Sequence, residues 1–143
     1  MDDANIDAMC MWLLKNPFNY DVLVAPNLYG DIISDLCAQM VGGLGFGCSG
    51  NIGEKLAVFE PTHGSAPKHA GKRKANPIAT ILAAKMMLDW LGETEKARAI
   101  EEAVAQVVRE GVVRTYDMGG TASTLDVAHS VAEKCRVPGV LRA

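Results

Sequence analysis

At 143 residues the chain has the size of one domain and is long enough to enclose a hydrophobic core. Its 49% hydrophobic and 22% charged residues are ordinary for a soluble globular protein, and a formal charge of -3 lacks the basic surplus expected of a nucleic-acid binder. Apolar stretches such as residues 78–84 fall far below the ~18 residues that argue for a membrane span.

Residues 4–15 place Ile6, Cys10, Leu13 and Leu14 at helical spacing, with Asp2 and Asp3 near the amino end where the helix dipole favours acids. Asn16-Pro17 ends that helix. Residues 20–25 read as a buried strand broken by Pro26, and residues 28–41 as a second apolar-striped helix. Glycines at 42, 43, 45, 47, 50 and 53 mark a loop able to bring its backbone close to something else. Residues 55–60 read as a short strand, followed by a long turn over 61–75. Pro77 suits the first turn of a helix over 77–91, and a further helix spans 93–110 with Glu93 and Glu95 near its start. Residues 114–120 form a turn-rich connection, and a Ser/Thr cluster opens a last helix over 123–135. The pattern is α/β with few strands. Helices 77–91 and 93–110 can pack on each other and on the 55–60 strand, while a sheet with so few strands exposes unpaired edges.

Two stretches carry chemistry. In Asn27-Leu28-Tyr29-Gly30-Asp31-Ile32-Ile33-Ser34-Asp35, Asp31 and Asp35 stand at i and i+4 and share one helix face. Such carboxylates repel unless a cation or solvent stands between them. Magnesium takes near-octahedral oxygen at about 2.0–2.1 Å, usually with only one or two protein carboxylates, so the pair fits it. A solvated acidic face has the same spacing. Gly30 and Ser34 interleave the acids, and Ile32, Ile33 and Leu36 are expected to bury the opposite side.

The second stretch is Glu60-Pro61-Thr62-His63-Gly64-Ser65-Ala66-Pro67, running through a basic loop to Asn76-Pro77 at a helix start. Small residues let backbone amides approach a ligand, and a helix amino terminus favours an anion. No G-x-G-x-x-G turn supports an ordinary Rossmann reading. Lys68, His69, Lys72, Arg73 and Lys74 gather positive charge here in a chain that is acidic overall. If the turn holds a dinucleotide, basic residues favour the 2′-phosphate of NADP over the free 2′-hydroxyl of NAD. A solvated basic loop is the alternative.

Together these motifs resemble the β-decarboxylating dehydrogenases, the family of isocitrate, 3-isopropylmalate, homoisocitrate and tartrate dehydrogenases, and look most similar to the bacterial isocitrate dehydrogenase branch. The resemblance runs from Asn5-Ile6-Asp7-Ala8-Met9 through both stretches to Asp117-Met118-Gly119-Gly120. It implies the isocitrate/isopropylmalate dehydrogenase-like α/β fold in incomplete form. Residues 1–53 would belong to a small, metal-binding and dimer-forming domain, and residues 54–143 to the carboxy-terminal part of a large, cofactor-binding domain. Aspartates matching Asp31 and Asp35 bind Mg2+ or Mn2+, and one matching Asp7 reaches the metal of a partner subunit across a homodimer. Residues matching Glu60, His63, Gly64, Ser65, Ala66 and Asn76 line the cofactor, with Lys68 and His69 on the same turn. Lys68 stands where NADP-preferring members carry Lys and NAD-preferring members Asp. The resemblance aligns Tyr116 with a tyrosine that contacts the 2′-phosphate, whereas the arginine four residues later is replaced by Gly120. NADP is the first choice of cofactor and NAD the second.

The implied reaction oxidises the 2-hydroxyl of isocitrate and then decarboxylates the β-keto acid, with the metal as Lewis acid and a positioned acid to protonate the product. The family's catalytic tyrosine and lysine lie in motifs that precede the matched region, so no catalytic residue is assigned within this chain. Three readings follow. The chain is the carboxy-terminal portion of a metal- and NADP-dependent isocitrate dehydrogenase, with an amino-terminal half elsewhere and little activity alone. Or it is a stand-alone nucleotide-binding or dimer-forming module; or a relative acting on 3-isopropylmalate, homoisocitrate or tartrate. Cys10, Cys37, Cys48 and Cys135 form neither a C-x-x-C pair nor a disulfide framework, and nothing resembles a secretory signal, which points to reduced thiols in the cytoplasm or an equivalent compartment.

Overall fold

The computed structural model describes residues 3–135, so Asp2 lies outside the described residues. These residues fall into two compact units, Met1–Gly43 and Leu44–Ala143. No helix among them is long and apolar enough to cross a membrane.

The first unit holds helices α1 (Ile6–Lys15) and α2 (Asn27–Met40), which pack against each other. Asp7 in the first turn of α1 and Lys15 in its last both suit the helix dipole. The residue before a proline is pushed out of the helical region, and Asn16 duly leaves it at φ -143° and ψ 61°. Pro17–Asn19 then makes a single tight turn of helix. The expected buried strand over 20–25 is not formed: Val22 and Val24 are 82% and 83% exposed, and no ladder forms there. A strand needs a neighbour for its amides and carbonyls, and neither sheet partner nor apolar cover exists for this segment among the described residues.

The second unit begins with a two-stranded antiparallel ladder, β1 (Cys48–Ile52) against β2 (Ala57–Pro61), in the register Gly50 opposite Phe59. The glycine segment expected to be loop throughout thus contains a strand. Gly50 explains why glycine is tolerated: a Cβ there would lie 3.1 Å from the Phe59 ring, so the missing side chain lets the ring settle across the ladder. Residues 53–56 close the hairpin through the Gly53 amide, which donates to the Leu56 carbonyl at 2.9 Å.

Helices α3 (Ile78–Trp90), α4 (Thr94–Glu110) and α5 (Thr124–Lys134) complete the unit. As expected, α3 and α4 pack on each other and α3 on the hairpin, but α4 packs on α5 instead of sharing the strand with α3. Ala103, Val104 and Val107 recur on one face of α4 and meet Ile78, Val127 and Val131 in the core. Gly111 ends α4 at φ 62°, a left-handed position suited to glycine. Ser123 opens α5 with a reciprocal capping box: its hydroxyl accepts from the Asp126 amide, and the Asp126 carboxylate accepts from the Ser123 amide. Lys85 on α3 donates to Asp89 and, across to α4, to Glu101; these bonds hold its pKa above the ordinary lysine value. Lys134 joins α5 to Glu110 of α4 at 2.7 Å. Cys10, Cys37, Cys48 and Cys135 are free.

Candidate functional site

Each unit carries its own candidate region. In the first, α2 presents Asp31 and Asp35 one turn apart, both exposed and without an ion-pair partner among the described residues. The Ser34 hydroxyl between them donates to the Asp31 carbonyl at 3.0 Å, which keeps it off both carboxylates. Ile33 and Leu36 are half-buried, but Ile32 is 44% exposed, so the apolar side of α2 is covered less fully than expected. Asp7 accepts a hydrogen bond from the Ala8 amide at 2.8 Å in the first turn of α1. It does not gather with Asp31 and Asp35, because no group of three or more metal-ligating acids, histidines or cysteines exists among the described residues. Two unpaired carboxylates on one face fit the part of a magnesium shell that a protein commonly supplies, leaving the remaining positions to oxygens from elsewhere.

The second region is the turn from residue 62 to residue 76. Its front is fixed to the hairpin, where both the amide and the hydroxyl of Thr62 donate to the Gly47 carbonyl, at 3.0 and 3.1 Å. Its back is fixed to the start of α5, where the Thr124 amide donates to the Arg73 carbonyl at 2.8 Å and the Thr124 hydroxyl to the Ala75 carbonyl. Between these ties the chain bends sharply. Ala66 takes a left-handed conformation at φ 46°, and Pro67–His69 makes one tight helical turn that carries Lys68 into solvent.

Glu60 on β2 accepts from the Asn51 amide group at 3.2 Å, a contact across the ladder that faces solvent. His63 is half-buried with Nδ1 2.9 Å from the Gly64 carbonyl, while its Nε2 is enclosed without a protein partner. Ser65 and Ala66 are exposed, and around Gly64 nothing lies within 4 Å of where a Cβ would stand. The ring of His69 lies against that of Tyr116, with centroids 5.3 Å apart and Nε2 3.5 Å from the phenol oxygen; its Nδ1 is likewise enclosed and unpartnered. Asn76 is buried at the foot of α3, where Oδ1 accepts from the Ile78 amide and Nδ2 donates to Asp117, both at 3.0 Å.

Within this unit the Tyr116–Met118 segment thus touches the turn twice, Tyr116 against His69 and Asp117 at Asn76, while Lys68 precedes His69 on the turn and His63 to Ala66 form its other end. An exposed lysine and an open small-residue segment on an anchored turn fit a polar ligand with an anionic end, whereas the enclosed His63 Nε2 and His69 Nδ1 are closed to solvent. Sequence reasoning did not assign Asp117, although it lies in the quoted Asp117-Met118-Gly119-Gly120 motif, nor Thr124. Their roles come from contacts spanning 41 and 49 residues, which local spacing does not reveal.

The family described as isocitrate/isopropylmalate dehydrogenase matches residues 1–132. Over 131 residues the chain is 50% identical to a 3-isopropylmalate dehydrogenase of Archaeoglobus fulgidus, which covers 92% of this chain and 40% of that protein. Over 133 residues it is 53% identical to an isocitrate/homoisocitrate dehydrogenase of Thermus thermophilus, covering 93% of the chain and 40% of the relative. A crystal structure of isocitrate dehydrogenase from Methylococcus capsulatus superposes with a TM-score of 0.91 at 44% identity, over 95% of this chain and 41% of that one. The chain thus spans about two-fifths of the length of these relatives.

Proposed function

We propose a function from the premise that this chain belongs to the isocitrate/isopropylmalate dehydrogenase family. It is the carboxy-terminal portion of a metal- and NADP-dependent decarboxylating dehydrogenase whose substrate is a 2-hydroxy acid, isocitrate first. Relatives named for 3-isopropylmalate and for isocitrate/homoisocitrate match almost equally well, which keeps those acids as the alternatives. When bound, the metal supplies Lewis acidity toward the substrate oxygens and the dinucleotide accepts a hydride.

The chain's own residues have narrower tasks. Asp31 and Asp35 hold the cation from residues 1–53, and Asp7 serves the cation of a partner copy in a homodimer. Residues 54–143 hold the dinucleotide: His63 to Ala66 face it with small side chains and backbone, and Asn76 lies toward the adenine. Lys68, His69 and Tyr116 take the 2′-phosphate end. Gly120 offers no side chain for that task, so the phosphate rests on the turn itself. The catalytic acid and base come from an amino-terminal portion, and the 143-residue chain alone does not turn over substrate.

The observation that carries this reading is the exposed Lys68 on a turn anchored at both ends. Calorimetric titration of the chain with NADP+ and NAD+, repeated on Lys68→Asp, tests it. The unaltered chain should bind NADP+ more tightly, and the substitution should weaken NADP+ by about tenfold or more, the worth of a charge-assisted contact, while sparing NAD+. Equal affinities for the two nucleotides in both proteins would refute the assignment of Lys68.

A further inference from the structure

We infer that Asp117 is a positioning residue, which sets the shape of the 62–76 turn by anchoring the buried side chain of Asn76 and through it governs the turn's affinity for a dinucleotide. The inference rests on the nucleotide reading above. Asn76 is only 7% exposed, and both ends of its amide are engaged. Because Pro77 has no N–H, Ile78 is the next backbone donor after Asn76, and the Asn76 oxygen accepts its hydrogen bond. The amide nitrogen then has Asp117 as its partner. A buried amide left unpaired costs far more than an exposed one, so losing this carboxylate releases the whole side chain from its position.

The other ties at the back of the turn run to backbone carbonyls of Arg73 and Ala75, whereas Asn76 is gripped through its side chain. Within the turn the bonds are local, from the His69 amide to Ala66 and the Lys72 amide to His69. The Asn76–Asp117 bridge therefore joins the end of the turn to the Tyr116–Met118 segment, the same segment that lays Tyr116 against His69. One bridge fixes both the residue at the helix start and the ring pair at the other edge of the site.

Gly45 shows how tightly the bridge is enclosed. A Cβ at that position would stand 2.5 Å from the Asp117 Oδ2 and 2.8 Å from the Asn76 Nδ2, which are the two bridging atoms. The Gly45 carbonyl also accepts from the Ala79 amide at 2.9 Å, so its backbone cannot back away without loosening α3. Glycine at 45 thus belongs to the same device.

Backbone hydrogen exchange on the full 143-residue chain, with dinucleotide titration alongside, decides the matter. Asp117→Ala should speed exchange of the Ile78 amide and the protected amides of 62–76 about tenfold or more while amides 103–107 in α4 keep theirs, and should weaken NADP+ and NAD+ alike. Gly45→Ala should reproduce that pattern from the opposite side. Asp117→Asn retains an acceptor for Asn76 and should keep protection near that of the unaltered chain. Exchanging the pair, Asn76→Asp with Asp117→Asn, rebuilds the bridge in reverse and should restore the protection that Asp117→Ala loses. Unchanged exchange in 62–76 on Asp117→Ala, or equal acceleration throughout the unit, would overturn the positioning role. If the unaltered chain binds neither dinucleotide, the nucleotide reading falls and the affinity half of this inference with it. The exchange rates would still decide whether Asp117 shapes the turn.

Discussion

The unit Leu44–Ala143 buries nine hydrophobic residues among those described, from Ile78 to Val131, whereas Met1–Gly43 buries only Leu13 and Ala38. The smaller unit instead displays Phe18, Val22, Val24 and Val41, with Phe18 98% exposed. The helices of the larger unit enclose a core between them, whereas α1 and α2 enclose little and leave apolar residues exposed on the segments beside them. An apolar stripe records that a face is to be covered, and leaves unsaid what covers it. The larger unit is therefore expected to draw more stability from its own packing than the smaller.

The sharpest way to break this contrast is a core deletion in the larger unit. Ile78 is fully enclosed where α3 meets α4 and α5, so Ile78→Ala should cost about 3 kcal/mol in denaturant unfolding of that unit. A cost below about 1 kcal/mol would mean that the core is looser than its burial implies. Removing the capping hydroxyl with Ser123→Ala should cost about 1 kcal/mol. Hydrogen bonds donated by the Ser123 amide and hydroxyl hold the Asp126 carboxyl below the ordinary carboxylate range. A carboxyl whose folded pKa is lowered stabilises above its unfolded value and loses that contribution as pH falls through the folded one. Asp126→Asn should therefore flatten the acid limb of the stability profile below about pH 4 and leave its slope near neutrality unchanged. The smallest effect is expected in the other unit: Phe18→Ser, assayed at concentrations low enough for a monomer, should change stability by no more than about 0.5 kcal/mol.

The same contrast explains what could be read from the chain. Helices α3, α4 and α5 begin and end within a residue of their expected positions, because their apolar faces meet inside the chain and Pro77, Gly111 and Ser123 punctuate them. The 20–25 segment has the composition of a strand, but strand formation depends on a neighbour, which composition cannot supply. The strand β1 was hidden for the opposite reason: Gly50 looks like a loop residue until the Phe59 ring across the ladder is seen to need its space. In the candidate site, the exposed basic residues of the turn stand out against an acidic chain. The partners that hold the turn do not, since Asp117 and Thr124 act on it from far along the sequence. His69 and Tyr116 are equally distant in sequence, and only folding lays one ring against the other.

Two tryptophans make the most direct test possible, since Trp12 lies on α1 and Trp90 on α3, beside Phe59 of β2 at a ring separation of 6.2 Å. Unfolding would be followed by fluorescence in Trp12→Phe, where Trp90 reports the larger unit, and in Trp90→Phe, where Trp12 reports the smaller. Two separate transitions are expected, with the Trp90 midpoint higher and raised further by NADP+, and the Trp12 midpoint lower and indifferent to it. Coincident transitions that NADP+ leaves in place would contradict this, showing that the larger unit neither stands on its own core nor holds the nucleotide.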